Sequence, residues 1–110
     1  MNSKTLISLL KIKEAYGDFP ETVTNITMDS REVDEGSVFV AIRGYQVDGF
    51  DFIPQAFRSG CRFIVTDRHV ELPEGAGLLI VKDPEKVAAL FAEYIYDFPH
   101  ETQTMIGVTG

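Results

Sequence analysis

The spacing of apolar positions changes along the 110-residue chain, and each change marks an element. Leu6, Ile7, Leu9, Leu10 and Ile12 to Ala15 recur at helical spacing, which predicts a first helix with Ser3 or Thr5 as N-cap and Gly17 as its stop. Val23 to Met28 alternates and is rich in β-branched residues, so a strand is expected. Asp34-Glu35-Gly36 is a turn. Ser37 to Ile42 is almost continuously apolar, as suits a strand covered on both faces. After a loop bracketed by Gly44 and Asp48-Gly49, Phe52, Ile53, Ala56 and Phe57 return to helical spacing. Pro54 fits the first turn of that helix, and Gly60 fits the position just past its end.

Arg62 to Thr66 and Leu78 to Val81 read as two further strands, separated by the Pro73-Glu74-Gly75 turn. A long helix is then predicted from Asp83 or Pro84 to about Phe98, with Asp83 as N-cap and Val87, Leu90, Phe91, Tyr94 and Ile95 on one face. Strands alternating with helices predict an α/β domain, a small mixed sheet with covering helices, over residues 1–100. Residues 101–110 are expected to link to, and open, a second domain with the strand Thr104–Gly110.

Composition narrows the function more than the fold. An apolar content of 45% and a charged content of 25% are ordinary for a globular domain. The net charge is −7, and no basic cluster exceeds two residues in a short window, so the footprint of nucleic-acid binding is missing. No apolar run approaches the roughly 18 residues of a membrane span. Cys61 is the single cysteine, which fits a reducing, cytoplasmic setting, and its place at the mouth of an apolar strand predicts a packed thiol rather than a nucleophile.

Two stretches could carry binding chemistry. Met28-Asp29-Ser30-Arg31-Glu32-Val33 sets small and charged polar residues directly after a strand, where α/β proteins place ligands. Asp29 and Ser30 can bond backbone N–H groups or a ligand, and Arg31 can fork onto a phosphate or carboxylate; a surface turn held by an Asx motif fits equally. In Arg43-Gly44-Tyr45-Gln46-Val47-Asp48-Gly49, the glycines permit close backbone approach, Tyr45 offers a ring, and Gln46 can donate to and accept from a uracil-like edge. A plain surface loop remains the alternative there. At the far end, Met105-Ile106-Gly107-Val108-Thr109-Gly110 has the strand-then-glycine form that opens a phosphate-binding loop, and also that of an ordinary strand and turn. His69 and His100 stand alone in sequence, and no paired carboxylates or nucleophile elbow occur.

Taken in order, Met28-Asp29-Ser30-Arg31, then Gly36 to Ala41 with Gly44 to Gly49 and Phe52 to Ala56, then Ile106 to Gly110, the chain resembles the N-terminal portion of a Mur ligase. The resemblance is strong from Ile26 to Ala56 and at the last six residues, while residues 1–22 and 67–103 carry no motif. It implies a domain that binds the UDP moiety of UDP-N-acetylmuramoyl-dipeptide within an ATP-dependent, amide-forming ligase of peptidoglycan precursor synthesis, one that adds the third stem-peptide residue. Met28 and Ser30 match the nucleotide-contacting positions, and Tyr45, Gln46 and Val47 match the loop around uracil and ribose. Family members often carry histidine where Tyr45 stands. Gly110 matches the first residue of the ATP-binding loop, so ATP and Mg²⁺ belong to segments beyond it, and the 110 residues alone are expected to be inactive. No catalytic residue and no metal ligand are assigned among them, and the implied protein is a cytoplasmic monomer acting on a small molecule, away from nucleic acid and membrane.

Two other readings remain open from the sequence: the related ligase that adds D-alanyl-D-alanine, and a non-catalytic α/β interaction module without a nucleotide pocket. A complete small NTPase is excluded because the phosphate loop stops before its lysine.

Overall fold

A computed structural model of the chain describes residues 2–10, 14–42 and 49–97. Five strands form one mixed sheet: β1 (Glu14–Gly17), β2 (Asn25–Thr27), β3 (Ser37–Val40), β4 (Phe63–Thr66) and β5 (Gly77–Ile80), in the order β1-β5-β4-β3-β2. β2 through β5 pair in parallel, and β1 closes the far edge antiparallel to β5, with Glu14 opposite Ile80 and Gly17 opposite Gly77. Among the described residues, three α-helices cover it: α1 (Ser3–Ser8), α2 (Ile53–Arg58) and α3 (Pro84–Ala92).

The continuous apolar runs become central strands because both faces of the sheet are covered. Along β3 and β4, Val38, Val40, Phe63 and Val65 point into one core with Leu6, Val87 and Phe91. The alternate residues Phe39, Ala41 and Ile64 join Ile53, Ala56 and Cys61 in a second core on the opposite face. Phe63 anchors the first core, with its ring centroid 4.8 Å from that of Phe19 and 6.3 Å from that of Phe91, both edge-on. Cys61 is fully buried, its thiol donating toward the carbonyl oxygens of Ser37 and Phe63 at 3.4 Å, and burial pushes its pKa up. It is the packed thiol expected from its setting. Thr66, at the end of β4, buries its Oγ1 with no hydrogen-bond partner among the described residues.

The first helix is shorter than its apolar pattern suggests. It ends at Ser8, its N-cap is Asn2, whose side chain accepts from the Lys4 N–H at 2.7 Å, and Ser3 instead bonds the carbonyl oxygen of Pro20. Ala15 belongs to β1, not to a helix. All four β1 residues are exposed, so no burial period marks the strand; its state is set by the ladder to β5, a tertiary override of local preference. Gly17 ends it at φ +80°, where a side chain would be driven into the carbonyl of Ala76.

The other elements follow the sequence more closely. β3 is joined to β4 beyond its end, since the Ala41 N–H donates to Val65 O at 2.8 Å. Pro54 sits in the first turn of α2, and Gly60 follows its end at φ +103°. The side chain of Asp83 accepts from the Lys86 N–H at 3.3 Å as N-cap of α3. The predicted single helix to Phe98 is instead α-helical to Ala92 and then a π-helical turn over Glu93–Asp97. The expected final strand and the linker over 101–110 lie outside the described residues. Among the described residues, no helix is long and apolar enough to cross a membrane.

Candidate functional site

β2 ends at Thr27, and the chain turns sharply through residues 28–32. The turn is built by side-chain capping of the backbone. Thr27 Oγ1 accepts from the Asp29 N–H at 3.0 Å, Asp29 Oδ1 from the Arg31 N–H at 2.9 Å, and the Asp29 carbonyl from the Glu32 N–H at 3.0 Å. The Asx motif read as one possibility is therefore present. Its carboxylate also holds the Arg31 guanidinium with two contacts, Nε to Oδ1 at 3.0 Å and Nη2 to Oδ2 at 2.9 Å. That fork draws the Asp29 pKa down from 3.8 to about 2, mainly through the hydrogen bonds from Arg31.

The turn forms one wall of a cleft of about 450 Å³, lined by Met28, Asp29, Ser30, Arg31, Phe52 and Gln55. The opposite wall is the start of α2, which the chain reaches after β3. Ile53 and Ala56 are fully buried in the second core, so they fix the backbone that carries Gln55 between them. Ser30 is also buried, and its hydroxyl donates to Gln55 Oε1 at 3.1 Å, a bond that closes the floor of the cleft between two elements 25 residues apart. Met28 and Phe52 stay exposed beside the hollow, at 60% and 39%. On the far side of Met28, between β2 and α3, lies a second, apolar hollow of about 300 Å³ formed by Ala88, Ala89, Ala92 and Tyr96.

Of the residues predicted from sequence, the structure brings Met28 and Ser30 together at one cleft, with Asp29 and Arg31 beside them. Tyr45, Gln46, Val47 and Gly110 lie outside the described residues; their neighbours Ile42 and Gly49 are joined by the Gly49 N–H donating to Ile42 O at 2.8 Å, at the end of β3. Gln55 and Phe52 were not singled out. Phe52 falls within the helical apolar pattern, and nothing in the local sequence pairs Gln55 with Ser30.

The cleft offers a thioether, a ring, a hydroxyl, an amide and an ion pair, a set suited to holding a ligand by contact and hydrogen bonds. Asp29 is pushed away from neutral pH, not toward it, which opposes a role in proton transfer there. Among the described residues, no group of three His, Cys, Asp or Glu side chains could hold a metal ion.

The family model described as "Mur ligase family, catalytic domain" matches residues 22–99. The whole chain aligns with UDP-N-acetylmuramyl-tripeptide synthetase 2 of Oceanobacillus iheyensis at 42% identity, covering 23% of that protein. It aligns over its whole length with the UDP-N-acetylmuramoyl-L-alanyl-D-glutamate–L-lysine ligase of Staphylococcus haemolyticus at 39% identity, covering 22%. Among solved structures, MurF ligase from Thermotoga maritima in complex with ADP matches with a TM-score of 0.55 and 32% identity, over 69% of this chain and 18% of that one. MurF from Acinetobacter baumannii matches in fold, with a TM-score of 0.64 at 23% identity, over 78% of this chain and 19% of that one. The chain spans less than a quarter of the length of the curated relatives it matches.

Proposed function

The chain belongs to the Mur ligase family, and from that premise we propose that it anchors the UDP end of UDP-N-acetylmuramoyl-dipeptide in an ATP-dependent, cytoplasmic ligase that adds the third stem-peptide residue of a peptidoglycan precursor. The observation that supports this most directly is the cleft at the end of β2, floored by the Ser30–Gln55 hydrogen bond and lipped by the exposed Met28. It lies at a strand end of a mostly parallel sheet, where such folds receive ligands. In the proposed role Met28 packs against the nucleoside, Ser30 hydrogen-bonds it, and Tyr45, Gln46 and Val47 close on uracil and ribose.

Anchoring of this kind aids a distant reaction without taking part in it. Fixing the nucleotide end restricts where the peptide carboxylate can sit, so part of the entropy cost of the chemical step is met by remote binding. ATP with Mg²⁺ would supply activation of that carboxylate. Gly110, the residue matched to the start of the ATP loop, lies outside the described residues. In this reading residues 1–100 form the nucleotide-binding unit and residues 101–110 lead into the ATP-binding domain.

A second reading, the ligase that adds D-alanyl-D-alanine, draws on the fold likeness to the MurF structures. Identities of 42% and 39% over the whole chain with the tripeptide synthetase and the lysine ligase favour the first. An amide NMR titration with UDP, and with AMP as control, tests the anchoring role. Shifts confined to Met28–Arg31, Tyr45–Val47 and Gln55 with UDP alone are expected; a silent spectrum at about 10 mM UDP, well above the millimolar range of a −4 kcal/mol site, would reject it.

A further inference from the structure

Resting on that reading, we propose that Gln55 is a specificity residue, and that Ser30 and Gln55 together read the imide edge of the base, selecting uridine over cytidine nucleotides. A serine hydroxyl has one hydrogen to give and two lone pairs to receive. The Ser30 hydrogen is committed to Gln55 Oε1 at 3.1 Å. What Ser30 can still offer the cleft is an acceptor. Gln55, with its carbonyl oxygen so engaged, offers the two N–H donors of its amide. The floor of the cleft therefore presents an acceptor beside a donor.

The hydrogen-bonding edge of uracil has a ring N–H flanked by carbonyl oxygens, and it meets that pair hydrogen to lone pair at both points. Cytosine carries an amino group in place of one carbonyl and has no hydrogen on the adjacent ring nitrogen. Against the same floor it sets lone pair on lone pair and N–H on N–H, the kind of mismatch that rejects a wrong ligand. The arrangement is held from below. Ile53 and Ala56, on either side of Gln55, are fully buried, and Ser30 is itself 5% exposed in the capped turn after β2. This assigns the base edge to the Ser30–Gln55 pair.

The experiment is a parallel titration of UDP and CDP, which share one diphosphate, so that the ratio of their dissociation constants isolates the base. Wild type, Gln55→Leu, Gln55→Glu and Gln46→Ala are compared, with the shifts of core amides such as Phe39 and Val65 confirming a native fold. Wild type is expected to bind UDP about tenfold tighter than CDP, the scale of one to two hydrogen bonds. Gln55→Leu should bring the ratio near one. Gln55→Glu keeps an acceptor for Ser30 but loses both donors, and should carry the ratio past one in favour of CDP. Gln46→Ala should weaken both nucleotides and leave the ratio in place.

A wild-type preference that survives in both Gln55 variants overturns the inference while the anchoring role stands. So does a ratio that moves only in Gln46→Ala. Absence of UDP binding in the wild type overturns the anchoring role and this inference with it.

Discussion

The phenolic oxygen of Tyr96 accepts a hydrogen bond from the Ile26 N–H at 2.8 Å and donates one to the Ile26 carbonyl at 3.0 Å, across 70 residues of sequence. β2 is the edge strand of the sheet, and Ile26 turns both backbone groups outward, where an exposed edge invites pairing with another strand. One hydroxyl from the π-helical turn after α3 occupies both. Tyr96→Phe is expected to remove the amide protection of Ile26 in hydrogen exchange and to lower stability by ~1 kcal/mol, because solvent then takes over both groups. Unchanged protection at Ile26 would show that the contact does not persist in solution.

Ser30→Ala deletes the hydroxyl that bonds Gln55 and, in the proposed role, the nucleotide. Loss of one neutral hydrogen bond costs ~0.5–1.5 kcal/mol, so UDP affinity should fall several-fold while melting changes little. Calorimetric titration of both proteins checks this, and equal affinities would remove Ser30 from the binding set.

The Asp29–Arg31 fork makes a prediction in pH. A carboxyl whose folded pKa lies below its unfolded value contributes stability above the unfolded value and loses it as pH falls through the folded one. For Asp29 that window runs from 3.8 down to about 2. Carbon-detected NMR of the side chain should give a midpoint near the lower bound, and Arg31→Gln should return it to the ordinary range. With Arg31 largely exposed, the stability at stake is small and screened by salt.

Phe39 is fully buried in the second core, on a strand with neighbours on both sides. Phe39→Ala should cost ~3–5 kcal/mol in denaturant unfolding. A loss under ~1 kcal/mol would mean that the second core collapses around the cavity far more readily than close packing allows.

Thr66→Val replaces a buried hydroxyl without a described partner by a methyl group of similar shape. Stability is expected to stay level or rise by about 1 kcal/mol, since an unsatisfied buried polar atom is relieved. A drop of that size would reveal a partner for Oγ1.

How far the sequence could be read depended on burial. Ser37–Val40 and Phe63–Thr66 were plain because every one of their side chains is buried, so the composition itself was distinctive. β1 was lost for the opposite reason: Glu14 to Gly17 are all exposed, and the partner that makes them a strand lies some sixty residues away. The Met28–Arg31 turn was legible as a strand end with polar residues, but its companion wall was not. Gln55 becomes part of the site only because β3 and α2 bring it against Ser30, and no local pattern encodes that meeting. The π-helical turn was likewise hidden, because its apolar residues Tyr94 and Ile95 satisfy an α-helical period as well.

Burial of Cys61 has a use beyond packing. It is the single thiol of the chain, with no exposed surface and a pKa raised by desolvation, so a thiol reagent meets it only when the domain opens. The rate at which the chain takes up such a reagent is therefore a clock for that opening, read without any engineered label. A ligand bound only by the folded form slows the clock by the factor 1 + [L]/Kd. Occupancy of the Ser30–Gln55 cleft is thus reported from the opposite end of α2, by a sulfur that never touches the ligand.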